Sequence, residues 1–256
     1  MSLVAETLCV RLGGTTILDA VSASFRAGEV TVILGPNGAG KSTLLACLAG
    51  LRSPDAGQVT LAGQPLLALS PQARARQVGF LPQVAEVNWD VDVETLVSLG
   101  RHPHRQGWGL VADDQAAIEA ALDATDLQAL RRRVVNSLSG GERGRALLAR
   151  VLAGTPDWLL ADEPLASLDP AHQVDVLDRL REVAAKGAGV VVVLHDLNQA
   201  ARVADRVLML RGGQVSAAGP PREVLVPEVL AAVYGIKAQV QHLPDGRAFI
   251  ATLGRR

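Results

Sequence analysis

The chain has 256 residues, with 25 basic and 26 acidic side chains, a formal net charge of −1 and 48% hydrophobic residues. That length can bury a large core, and the balanced charge leaves no bulk cationic footprint for nucleic acid. No run reaches the roughly 18 uncharged apolar residues that read as a membrane span, and the opening M-S-L-V-A-E lacks the basic-then-apolar pattern of a signal peptide. Cys9 and Cys47 have no metal-ligand spacing, which predicts two buried free thiols in a reducing compartment.

In chain order, residues 3–12 and 16–25 alternate as two strands around the turn signal Gly13-Gly14. Residues 30–34 are a short, apolar, β-branched strand that runs into Gly35-Pro36-Asn37-Gly38-Ala39-Gly40-Lys41-Ser42. A helix follows from Thr43. Strand, glycine loop and helix in this order form the full phosphate-binding pattern. The glycines let successive amides turn inward at a helix N-terminus and form an anion site. Lys41 is placed to reach the β- and γ-phosphates, and the Ser42 hydroxyl to hold Mg²⁺. After a turn at residues 53–57 come short antiparallel pieces, a helical stretch at 71–76 and an apolar strand at 78–81 that ends before Gln83.

Residues 84–153 carry little strand signal and read as a helical segment inserted into an α/β core. Helices are predicted at 92–99, capped by Asp92, at 113–122, at 126–131 and at 142–152. Residues 101–109 read as a polar loop, with His102 and His104 on a solvated or partner-facing surface. Ser139, followed three residues later by Glu142, is a capping-box pattern. With Gly140 and Gly141 it puts an amide-rich corner at a helix start, which fits either a plain cap or a second phosphate-contacting surface.

Residues 158–161 form a strand that ends in Asp162-Glu163-Pro164. A carboxylate at a core strand's C-terminal end can hold Mg²⁺ near the phosphate loop, the role that fits Asp162. Glu163, pointing elsewhere, could orient and deprotonate a water. A helix at 171–184 leads to 189–194, an almost wholly apolar run suited to a strand buried on both faces. His195 at its end should share a rim with Asp162, which points to a γ-phosphate contact. A helix at 197–204, a hairpin at 207–217, a helix at 227–233 and a strand pair across Asp245-Gly246 close the chain.

These motifs together resemble the ATP-binding subunit of an ABC transporter over essentially the whole sequence. Gly35 to Ser42 match Walker A, Gln83 the Q-loop glutamine, and Leu138-Ser139-Gly140-Gly141-Glu142 the family signature. Asp162 matches the Walker B aspartate, Glu163 the catalytic glutamate, Ser167-Leu168-Asp169 the D-loop and His195 the switch histidine. The resemblance implies a P-loop NTPase core with an antiparallel β subdomain, over about residues 1–83 and 154–256, and a helical subdomain over about 84–153. It implies ATP and Mg²⁺ as ligands, Gln83 near the metal or water, and Ser139, Gly140 and Gly141 on the γ-phosphate held by a second copy. The implied partners are that second copy, transmembrane permease subunits and, indirectly, an extracytoplasmic substrate-binding protein, with the chain peripheral on the cytoplasmic face of the inner membrane. Nucleic acid is not among them.

Two places depart from the family pattern. Leu12 stands where an aromatic ring usually stacks on adenine, with Arg11 beside it as an alternative stacking group. Gly144 lies inside the signature helix, where many members have glutamine. The segments Leu99-Gly100-Arg101, Asp169-Pro170-Ala171-His172-Gln173 and Val233-Tyr234-Gly235-Ile236 resemble importers of iron-siderophore, haem and cobalamin complexes. The alternatives are an ATPase of another transport system and a soluble ABC ATPase of translation or repair. The latter commonly carry paired cassettes or a long coiled-coil insertion, whereas this chain has one phosphate loop and no heptad run.

Overall fold

Val30–Leu34 is buried at every residue, a condition met in the interior of a sheet covered on both faces. The structure, a computed structural model, describes residues 1–83, 90–105, 111–166, 168–243 and 247–255. Ser167, the turn at Asp245-Gly246 and residues 84–89 and 106–110 lie outside the described residues.

The N-terminal strands are β1 (Ser2–Leu12) and β2 (Thr15–Arg26). After β3 (Val30–Leu34) and helix α1 (Lys41–Leu48) come β4 (Ala56–Leu61) and the two-residue β5 (Gln64–Pro65). The antiparallel sheet has the order β2-β1-β4-β5. Along β1 the buried residues are Leu3, Ala5, Leu8 and Val10, so the alternation changes phase once. Thr7 absorbs the change at φ 46, beside a register shift between Ala5 and Leu8.

Helix α2 (Pro71–Gln77) leads to β6 (Val78–Leu81), and then α3 (Val93–Ser98), α4 (Ala112–Ala124) and α5 (Gly140–Ala153) precede β7 (Trp158–Asp162). Among the described residues every helix or strand between β6 and β7 is helical. Next are α6 (Pro170–Ala185), β8 (Gly189–Val193), α7 (Leu197–Val203), β9 (Arg206–Arg211) and β10 (Gln214–Gly219). The end of the chain holds α8 (Pro221–Val224), α9 (Pro227–Tyr234) and the hairpin β11 (Ile236–His242) with β12 (Ala248–Arg255).

The central sheet runs β10-β9-β3-β8-β7-β6, parallel from β9 to β6, with β10 antiparallel at one edge. Alternate residues serve opposite faces: Val190 and Val192 join one core, Val191 and Val193 the other. The first core packs against α3 to α7, and the second holds α1 against the antiparallel sheet. The phosphate-loop helix is therefore clamped between two sheets.

Four expectations are corrected. Arg101 is not in a polar loop but in a 3-10 turn, Leu99–His104, and is 7% exposed. The turn lies hard against α5, where a Cβ on Gly100 would sit 2.0 Å from the Arg150 carbonyl oxygen. The Arg101 guanidinium donates from Nε to Asp114 Oδ1 at 2.8 Å and from Nη1 to the Ala153 carbonyl at 3.0 Å. His102 is exposed, but His104 is half-buried with Nε2 2.9 Å from the Gly154 carbonyl oxygen. The helix expected at 126–131 is only a 3-10 turn, Gln128–Leu130, because Asp126 adopts the left-handed region at φ 53. Cys9 is half-buried, since it sits at the irregular stretch of β1, whereas Cys47 is buried and its thiol is pushed up to about 11 by burial.

Candidate active site

The phosphate loop leaves β3, His195 follows β8, Asp162 ends β7 and Gln83 lies two residues beyond β6. Because these four strands are parallel neighbours, their carboxyl ends line up on one rim, the usual place for a ligand in an open α/β sheet. A cleft of about 620 Å³ opens there, lined by Leu12, Ile17, Asn37 to Thr43, Gln83, Glu163 and His195.

Two glycines of the loop have no alternative. Gly35 has φ 150, and a Cβ there would lie 2.2 Å from the Leu210 carbonyl oxygen. Gly40, the left-handed N-cap of α1 at φ 95, would carry a Cβ 2.8 Å from the Ile17 carbonyl oxygen. Lys41 is 6% exposed and donates from Nζ to the Gly35 carbonyl at 2.9 Å and the Pro36 carbonyl at 3.2 Å. Burial lowers its ammonium below the ordinary lysine value, while Glu163 and Asp162 pull the other way.

Asp162 is also 6% exposed, and burial raises its carboxyl above the ordinary range, against the Ser42 hydrogen bond and the Lys41 charge. The Ser42 hydroxyl donates to Asp162 Oδ1 at 3.1 Å. Glu163 adopts φ 50, rare for a residue with a side chain, and its amide donates to the Val193 carbonyl at 3.2 Å. That twist separates its carboxylate from that of Asp162. One Glu163 oxygen accepts from Gln83 Nε2 at 2.6 Å, and the other meets His195 Nε2.

The remaining candidates lie outside this cleft. Ser139 caps α5, its hydroxyl accepting from the Glu142 amide at 3.2 Å while Glu142 Oε2 accepts from the Ser139 amide at 2.8 Å. Ser139 and Gly140 are exposed and Gly141 half-exposed. Asp169 is exposed, caps α6 through the His172 amide at 3.0 Å and pairs with His172 Nδ1. Arg11 does not line the cleft, and its amide donates to Asp55 Oδ2. Gly144 is not there for close packing, since a Cβ would meet only Leu168 Cδ2 at an ordinary 3.6 Å.

Two neighbours of the site escaped the sequence reading. Ile17 faces the cleft beside Leu12, a placement set by the β1–β2 register. Tyr234, the one tyrosine in the chain, has a buried hydroxyl beside the Gly35 backbone, and burial pushes its phenol up to about 12. Tyr234 stood out only as part of a resemblance, not as a neighbour of the loop.

A family model described as ABC transporter matches residues 18–166, more than half the chain. The chain belongs to the ABC transporter ATP-binding family. Among the family's curated members, it is 46% identical to the hemin import ATP-binding protein HmuV of Pseudomonas fluorescens over 94% of this chain and 95% of that protein. It is 44% identical to the cobalamin import ATP-binding protein BtuD of Halobacterium salinarum, covering 98% of this chain but 63% of that longer protein. A solved metal-chelate type ABC transporter in an inward-facing conformation superposes with a TM-score of 0.84 at 28% identity, covering 100% of this chain and 98% of that one. A bacterial ABC transporter cassette solved as a dimer gives a TM-score of 0.78 at 26% identity over 86% of this chain and 99% of that one.

The arrangement suits the ligands an ABC ATP-binding domain takes. A hydroxyl and a desolvated carboxylate 3.1 Å apart offer hard oxygen donors for Mg²⁺, and the buried Asp162 charge is one that a dication would relieve. The glycine loop at the start of α1 and the desolvated Lys41 suit a polyphosphate. Among the described residues that line the cleft, the large aliphatic side chains are those of Leu12 and Ile17.

Proposed function

We propose that this chain hydrolyses ATP to power import of an iron chelate, haem or cobalamin across the cytoplasmic membrane, working as a nucleotide-sandwich dimer docked on permease subunits. The observation that carries the reading is the convergence of Gln83 and His195 on the two oxygens of Glu163, beside the Ser42–Asp162 pair. Glu163 orients the attacking water and accepts its proton, His195 and Gln83 hold that carboxylate in place, and Lys41 balances charge on the phosphates. Ser42 and Asp162 would hold Mg²⁺, with Gln83 nearby; when bound, the ion supplies charge neutralisation across the phosphate oxygens.

Ser139, Gly140 and Gly141 lie at the N-terminal end of α5 away from their own cleft, with Ser139 and Gly140 exposed. A twofold dimer would lay that corner, and Asp169, over the partner's phosphates and make two equivalent sites. The γ-phosphate would then add the charge that closes the dimer, and ADP would release it. A groove of about 260 Å³ beside β6, lined by Ala75, Val78, Phe80, Leu99, Pro103 and Val151 among others, adjoins the strand that leads to Gln83. It is assigned to the permease, so that opening and closing of the dimer is felt at the membrane partner. The chain would sit peripherally on the inner membrane, held there by the permease; among the described residues no helix is long and apolar enough to cross a membrane.

Sedimentation of Glu163→Gln with and without ATP tests the dimer, which should form only with ATP; a chain that stays monomeric rejects the sandwich. Mg²⁺-dependent turnover that persists in Lys41→Ala would reject this cleft as the active site. Deleting the gene and measuring uptake of haem, an iron-siderophore and cobalamin identifies the cargo, and undiminished uptake of all three would refute this cargo group.

A further inference from the structure

The segment Asp169 to Gln173 does not line the cleft, yet Gln173 is tied at both ends of its amide. Its Nε2 donates to the Leu168 carbonyl at 3.1 Å and reaches the Leu165 carbonyl at 3.5 Å. Its Oε1 accepts from Gln199 Nε2 at 2.7 Å. The two bonds are mutually dependent, because an amide that aims its NH₂ at the carbonyls must present its oxygen to Gln199.

Gln199 lies in the first turn of α7, directly after His195-Asp196, and its backbone amide is fixed on Asp196 Oδ1 at 2.9 Å. Asn198 beside it makes a reciprocal pair with the backbone of Ile250: its Nδ2 donates to the Ile250 carbonyl at 3.1 Å, and its Oδ1 accepts from the Ile250 amide at 2.7 Å. Ile250 is 4% exposed in β12. A continuous path of amide contacts thus runs from the C-terminal hairpin through the His195 turn to the carbonyls of the loop between Glu163 and Asp169. Gln173, Asn198 and Gln199 are all half-buried, so these bonds are partly shielded from competing water.

We propose that Gln173 and Gln199 are positioning residues that couple the His195 turn to the 163–169 loop, anchored to the C-terminal hairpin by Asn198. Engagement of the Asp169 loop by a second copy and alignment of His195 on Glu163 then occur together. The consequence for turnover rests on the ATPase dimer reading above; the coupling within the chain does not.

The test uses Gln199→Met, Gln173→Met and the double variant, since methionine keeps side-chain length and apolar contact but has no amide. Each single change should lower kcat about 3- to 10-fold, the scale of one lost hydrogen bond. The KM for ATP should stay within about twofold, because neither residue faces the cleft. The double variant should be no slower than the slower single, since the shared bond is already gone. In the nucleotide-free protein, Gln199→Met should speed amide hydrogen exchange at residues 163–169 while leaving residues 140–143 unchanged. Losses that add in the double variant, or exchange at 163–169 that Gln199→Met leaves unmoved, would overturn the coupling. If the wild type hydrolyses no ATP, the ATPase reading fails and the exchange result alone decides the coupling.

Discussion

Among the described residues, two places bury charge, and they are built on opposite terms. Arg101 and Asp114 form a pair whose guanidinium also satisfies the Ala153 carbonyl, and Arg101 holds the Asp114 carboxyl below its ordinary range. Lys41 and Asp162 are equally hidden, but burial drives the lysine down and the aspartate up, toward their neutral forms. The first site is complete within the fold. The second carries charges that the fold alone does not fully compensate, as expected where charge of a ligand is to be received. One ties α4 to the α5–β7 junction, and the other keeps a cost that the proposed phosphate and Mg²⁺ would relieve.

The largest effect that would sharpen this contrast is on turnover. Glu163→Gln should lower ATP hydrolysis by about 10²- to 10⁴-fold, the usual contribution of a general base, and leave nucleotide binding in place. Steady-state kinetics beside calorimetric titration with ATP would check it, and turnover near wild type would remove Glu163 from its assigned role.

At the structural pair, Arg101→Met leaves Asp114 buried without its partner, which should cost about 3–5 kcal/mol of stability. Chemical denaturation at neutral pH measures it. The sign with pH follows from the depressed Asp114 carboxyl. Its stabilisation is present above the ordinary aspartate value and is lost as pH falls through its lower folded value. The gap between wild type and Arg101→Met should therefore narrow on acidification. A gap that is constant with pH would mean the arginine acts by packing alone.

Asp162→Asn should do the reverse. A carboxyl raised in the folded state lends stability at low pH that disappears as pH rises through its folded value. The neutral asparagine should melt higher than wild type at neutral pH without nucleotide. That advantage should shrink as pH falls below the carboxylate range, and Mg²⁺-dependent turnover should be lost. An unchanged or lower melting temperature would show that the Asp162 charge is already compensated within the chain.

The smallest effect is on the base side. Replacing Leu12 with tyrosine should tighten ATP binding by about 0.5–1.5 kcal/mol, the scale of an aromatic stacking contact. Calorimetry with ATP against nucleotides of smaller bases would detect it, and equal affinities would place the base away from Leu12.

Much of the phosphate side was legible because its signals are local. The strand-glycine loop-helix order, the β-branched runs at 30–34 and 189–193, and the Ser139–Glu142 capping box each lie within a few residues. A glycine forced by a left-handed backbone, or a hydroxyl three residues before the amide it caps, can be read without knowing the rest of the fold. The same local reading put Arg101 in a polar loop, because its carboxylate and carbonyl partners lie 13 and 52 residues away.

By itself, then, the amino-acid sequence determined the strand, glycine loop and helix order, the alternating faces of the core strands and the family those motifs belong to. Tertiary structure decided what stands beside what. Parallel pairing brought Gln83, Glu163 and His195 to one rim; the C-terminal helix set Tyr234 beside Gly35; and the fit of α6 against α7 joined Gln173 to Gln199. The physical reason is separation along the chain. A local motif is fixed by dihedral angles and hydrogen bonds within a turn, whereas these meetings depend on which buried faces pack together and in what register.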